Sequence, residues 1–204
     1  MSQAVYWDLE TNSYYIHKYY SPKFWDYLSN QDREISSRLL DYKDQRNNKA
    51  YGYFTYDLMS ALAAIAENDF QRNRLLLVSV PCSDPNKVPT TSKSIEMIAK
   101  MSADGTVKSF TQCNIPFIDA SNLLMRTEAI RSAHKSNDRP KLKDHIRTIS
   151  LTTNESLKSN AGYVIIDDIV TTGTQMQACN HILRSGGVKA RNIIQLAIGK
   201  TFRL

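Results

Sequence analysis

One segment constrains this chain more than any other. It reads Gly162-Tyr163-Val164-Ile165-Ile166, then Asp167-Asp168, then Ile169-Val170-Thr171-Thr172-Gly173-Thr174. A short run that is apolar on both faces suits a central strand of a parallel sheet. Two adjacent carboxylates follow, at the strand end where ligands sit in open α/β sheets. A loop of small hydroxylated residues and one glycine then leads into a helical pattern over 174–185, closed by Gly186-Gly187. The first amides of such a helix lack intrahelical partners, and its dipole adds partial positive charge there. Thr171, Thr172 and Thr174 add hydroxyls, and Gly173 permits close backbone approach. The product is a phosphate cradle beside an acid pair. A phosphorylated sugar needs both, the cradle for its phosphate and the acids for its vicinal hydroxyls. GxxxxGK[ST] and GxGxxG are both absent, which argues against a P-loop and a dinucleotide fingerprint.

The flanking sequence predicts an α/β domain with an open, mainly parallel sheet flanked by helices. Asn192–Ile198 is a further strand, so strand, helix and strand form a parallel βαβ unit. Leu75–Val80 is an earlier central strand ending at Pro81. Helices are expected over 31–47, 54–66 and 91–101, and a strand over 107–119. Residues 4–20 read as a hairpin turning at Glu10–Ser13. No linker or repeat divides the chain, so residues 1–204 are expected to form one domain. Within it, residues 1–45 would be an N-terminal hood or appendage.

The strand-acid-acid-loop segment resembles the phosphoribosyl pyrophosphate (PRPP) signature of type I phosphoribosyltransferases. That resemblance implies the family fold, with Asp167 and Asp168 as catalytic residues contacting the ribose hydroxyls. Thr171, Thr172, Gly173 and Thr174 would bind the 5-phosphate. Pro81, Cys82 and Ser83 stand where the family's pyrophosphate loop belongs, without its usual glycines and basic residue. Segments around 39–44, 79–81 and 124–145 look like the ComF-like branch. The resemblance further implies Mg²⁺, PRPP or another phosphorylated ribose as ligand, and transfer of phosphoribose to a nitrogenous acceptor. It also allows a homodimer. A non-catalytic PRPP or nucleotide sensor, and an accessory protein of a DNA-uptake or defence system, are the alternatives.

Charge is unevenly spread. The net charge is +6 with a pI near 9.2. Seven basic and three acidic residues fall between Arg126 and Arg147, together with His134 and His145. This stretch is polar and weakly periodic and reads as a long excursion. Arg126, Lys135 and Arg139 are its candidates for a flap over the pyrophosphate. The same stretch, 126–147, is the candidate nucleic-acid contact. Cys82, Cys113 and Cys179 are far apart and form no CxxC pair, so neither a disulfide framework nor a zinc site is expected. No apolar run approaches the roughly 18 residues of a membrane span. The N-terminal residues lack a basic-then-apolar signal pattern, so a cytoplasmic location is expected.

Overall fold

The computed structural model describes residues 4–45, 47–69, 73–130, 140–152 and 161–203. Its elements run β1 (Tyr6–Asp8), β2 (Ser13–Tyr20), α1 (Asn30–Lys43), α2 (Asn48–Asp69), β3 (Leu75–Ser79), α3 (Thr90–Ala103) and α4 (Thr106–Thr111). They continue with β4 (Phe117–Asp119), β5 (Leu124–Arg126), α5 (Leu142–Thr148), β6 (Ile149–Leu151), β7 (Gly162–Val170), α6 (Thr174–Ser185) and β8 (Ile193–Phe202).

Six strands form one sheet in the order β1-β2-β8-β7-β3-β4. Every neighbouring pair in it is parallel except the β1–β2 hairpin. The open, mainly parallel sheet expected from the sequence is therefore present. β3 and β7 are direct neighbours, from Leu75 opposite Gly162 to Ser79 opposite Ile166. β5 and β6 pair separately as a two-stranded ribbon. The predicted hairpin forms, and β2 continues past it to pair with β8, so residues 6–20 are the edge of the main sheet.

Alternation along the strands decides what covers each face. Val164 and Ile166 of β7, Leu75 and Leu77 of β3, and Leu196 and Ile198 of β8 point to one side. There they pack on α1, α2, α3 and α4 through Leu39, Phe54, Leu58, Ile95, Ile98 and Val107, among others. Tyr163, Ile165, Val78 and Ala197 point to the other side, onto α6 and the β5–β6 ribbon through Met176, Cys179, Leu183, Leu124 and Ile149. Helices cover both sides of a parallel sheet, which is why β3 and β7 are apolar on both faces.

Two expectations need correction. The stretch 107–119 is not one strand: Thr106–Thr111 is helical and only Phe117–Asp119 is extended. Gly105 and Gln112 are both left-handed, at φ 83° and 65°, and they bound this short helix. The stretch 126–147 is also not wholly an excursion. It starts in β5 and ends in α5, both packed against the α6 side of the sheet. Residues 131–139 lie outside the described residues. Among the described residues, no helix is long and apolar enough to cross a membrane.

Candidate functional site

The site lies where the sheet changes winding direction. From β3 the chain crosses on the α3 side to β4; from β7 it crosses on the α6 side to β8. The two crossovers diverge from the β3–β7 seam, and a crevice opens at the carboxyl ends of those strands. A cleft of about 760 Å³ occupies it. It is lined by Asp167 and Asp168, by Thr171, Thr172, Gly173 and Thr174, and by Pro81, Cys82 and Ser83. Segments separated by more than eighty positions in sequence thus share one cavity.

β7 outruns β3. The last rung between them is Val80 N–H to Ile166 O at 2.9 Å, while β7 stays paired with β8 through Val170. Asp167 and Asp168 therefore sit in strand conformation with one edge open to the cleft. The pleat sends their side chains to opposite faces of the sheet. Asp168 follows Val164 and Ile166 to the α1 side, and its Oδ1 lies 3.7 Å from Lys43 Nζ. Asp167 points to the α6 side. Desolvation, reinforced by the neighbouring Asp168 charge and opposed by Lys43, raises its carboxyl to about 7. The same acids, after burial itself, push the Cys82 thiol up. Cys82 is therefore a poor thiolate.

The threonine loop is shaped by the N-terminal hairpin. Gly173, at φ 70°, is the cap of α6. A Cβ there would come within 2.9 Å of Thr11 Cβ and 3.1 Å of Thr11 O. The close approach that requires glycine is thus to the turn between β1 and β2. That turn is fixed in its own right. Asp8 accepts from Thr11 N–H at 2.9 Å, from the Thr11 hydroxyl at 2.5 Å and from the buried Lys200 ammonium. These bonds outweigh desolvation and hold the Asp8 carboxyl below its usual range. Thr171 Oγ1 meets Thr201 Oγ1, and Thr172 Oγ1 meets Thr174 Oγ1, each at 2.9 Å.

The loop after β3 is pinned by its carbonyls. Gln175 Nε2 donates to Pro81 O, Arg126 Nε to Cys82 O at 2.5 Å, and Ile130 N to Ser83 O at 3.0 Å. This corrects the reading of Arg126 as a flap. Arg126 is buried, also donates to Thr148 Oγ1 at 2.5 Å, and does not line the cleft. His145 is buried beside it, with Nδ1 3.5 Å from Arg126 Nη2. Burial and the guanidinium both lower its basicity. The other flap candidates, Lys135 and Arg139, lie outside the described residues. Arg126→Ala is expected to cost about 2 kcal/mol in urea unfolding, because the buried Thr148 hydroxyl and the half-buried Cys82 carbonyl lose a donor. An exposed flap residue would shift stability by less than about 0.5 kcal/mol.

Lys43 and Thr11 are the residues that local pattern does not single out. Lys43 is merely the last residue of an amphipathic helix, and Thr11 is one of several polar turn residues. Their roles follow from contacts with residues more than a hundred positions away. Among the described residues, no three potential metal ligands cluster.

No family model matches the chain, and no curated protein matches it. Among solved structures it is similar to the crystal structure of adenine phosphoribosyltransferase from Leishmania tarentolae, with 13% identity and a TM-score of 0.42. The alignment covers 97% of this chain and 94% of that one.

Proposed function

We propose that this chain is a phosphoribosyltransferase-like protein that binds PRPP at the β3–β7 crevice. One observation carries the reading: the acid pair and the threonine loop, two residues apart in sequence, line one cleft at the switch point of a parallel sheet. The loop at 171–174 and the start of α6 take the 5-phosphate through backbone amides and hydroxyls. Asp167 and Asp168, one on each side of the strand, accept hydrogen bonds from the ribose 2- and 3-hydroxyls. Breaking the bond from the anomeric carbon to pyrophosphate builds positive charge on the sugar ring, as in glycoside cleavage. Carboxylates fixed beside that ring favour such a state electrostatically.

Mg²⁺ would neutralise the departing pyrophosphate. The donor set suits an ion carried mainly by the diphosphate and water, because adjacent carboxylates are present without a third clustered ligand among the described residues. Asp167 and Asp168 are the side chains that would meet it. Placement in the ComF-like branch, a nitrogenous acceptor and a cytoplasmic setting rest on the sequence alone.

A second reading, a PRPP sensor without transfer activity, is favoured by the loop after β3. Pro81-Cys82-Ser83-Asp84 carries no cation, and all four of its carbonyls are engaged by protein donors. Calorimetry with PRPP, with and without Mg²⁺, tests the shared part of both readings. Saturable Mg²⁺-dependent binding is expected, and its absence sinks both. Pyrophosphate release over a panel of purine and pyrimidine bases then separates them: release supports transfer, and binding without release supports a sensor.

A further inference from the structure

Pro81-Cys82-Ser83-Asp84, directly after β3, carries no cation, and the lysines that line the cleft are Lys87, later in that loop, and Lys43. Lys43 ends α1, on the face of the sheet opposite α6. Its ammonium lies 3.7 Å from Asp168 Oδ1 and lines the same cleft. The backbone at this corner is held in place. Thr90 Oγ1 donates to Lys43 O at 2.9 Å, and the Lys93 ammonium holds Gln45 Oε1 at 2.5 Å. Gln45 itself is left-handed, at φ 55°, which turns the chain sharply after the helix. The Lys43 side chain is 39% exposed, and its ammonium is held electrostatically by Asp168 and Asp167.

Position and chemistry together say what this ammonium could meet. In a phosphorylated ribose seated as proposed above, the 5-phosphate is at the threonine loop, on the α6 side. The hydroxyls are at the acid pair. The substituent on the anomeric carbon is next to the 2-hydroxyl, away from the 5-phosphate. A cation beside Asp168 on the α1 side therefore stands at the anomeric end of the sugar. We propose that Lys43 recognises the anionic group on the anomeric carbon, supplying from the end of α1 a positive charge that Pro81–Asp84 does not carry. In the free protein it rests on Asp168. When a diphosphate enters, the ammonium exchanges one carboxylate for phosphate oxygens and frees Asp168 for the ribose hydroxyl.

This inference rests on the ribose-binding reading and can fail separately from it. A purely structural Lys43 would neutralise Asp168 and nothing more. Its loss would then change the binding of every ribose ligand alike. A diphosphate-reading Lys43 discriminates among ligands instead.

The test is calorimetry of wild type, Lys43→Met and Lys43→Arg against ribose 5-phosphate and against PRPP with Mg²⁺. A charge-assisted contact is worth roughly tenfold or more in affinity. Lys43→Met is expected to lose at least about that factor for PRPP, while ribose 5-phosphate binding holds or tightens. Lys43→Arg should recover most of the PRPP affinity, because the positive charge is restored. Melting curves of the free variants establish that they fold. Equal losses for both ligands overturn the proposal, as does unchanged PRPP affinity in Lys43→Met, and in either case the ribose-binding reading stands. Wild type that binds neither ligand overturns both.

Discussion

Gly173→Ala is expected to destabilise the protein by about 2–4 kcal/mol and to weaken ribose 5-phosphate binding by about tenfold or more. Two costs add. The residue sits at φ 70°, where a non-glycine residue costs about 1 kcal/mol or more. The new methyl would also stand 2.9 Å from Thr11 Cβ and 3.1 Å from Thr11 O, and overpacking of this kind costs about 1–3 kcal/mol. Thr11 cannot retreat cheaply, because Asp8 and the buried Lys200 tie down the turn that carries it. The relief must come from the loop, which moves the first turn of α6 away from its place in the cleft. Misplacing binding groups by about 1 Å is enough to cost orders of magnitude in function. Gly187→Ala is the control. Gly187 has φ 98° with nothing within 4 Å of an added Cβ, so it carries conformational strain without a clash. Urea unfolding and calorimetry of the two variants provide the comparison. If both lose the same stability and both keep ribose 5-phosphate affinity, the Thr11 contact has no part in shaping the loop.

The legible and illegible parts of this structure divide along a physical line. β7 and α6 could be read because each carries its own evidence: an apolar run too short for a helix, and a helical pattern stopped by paired glycines. The helix at Thr106–Thr111 could not. Its valine, phenylalanine and threonines are good strand formers, and the helix is set by the two left-handed residues around it and by the burial of Val107 alone. Arg126 and His145 were hidden by their residue types. A charge-rich stretch reads as solvated until a carbonyl 44 positions away is known to accept from the guanidinium. Lys43 illustrates the same limit at the cleft. Its partner Asp168 is 125 positions along the chain, and only the packing of α1 on the sheet joins them. Local pattern thus disclosed the cleft-lining loop, while the residues that pack against it became visible only through long-range contacts.

Asp167→Asn is expected to separate from wild type as pH rises, in stability and in binding, and in opposite directions. The folded protein holds the Asp167 proton up to about pH 7, whereas a free carboxyl releases it near 3.8. Between those values the folded chain binds more protons than the unfolded one, so wild-type stability falls as pH rises through this window and the cost is complete above about 7. An amide has no such titration. The melting temperatures of the two proteins should be close near pH 4 and should diverge by several degrees at pH 8, with Asp167→Asn the higher. In a chain of this size each kcal/mol is worth about 2–4 °C. Asp168→Asn should behave differently. It removes the charge that helps to raise Asp167, which narrows the window, but leaves Lys43 without its carboxylate. Its melting curve should therefore gain less at high pH than that of Asp167→Asn. Binding follows the charged form: if the Asp167 carboxylate accepts from a ribose hydroxyl, wild-type affinity for ribose 5-phosphate rises up to about tenfold per pH unit below 7 and then levels. The ligand's own phosphate titrates near pH 6 against both proteins, so the difference between wild type and Asp167→Asn isolates the side chain. Parallel melting and binding profiles for the two proteins from pH 4.5 to 8 would mean that Asp167 is already ionised throughout, and that its enclosure at the end of β7 neither raises its proton affinity nor prepares it for a sugar.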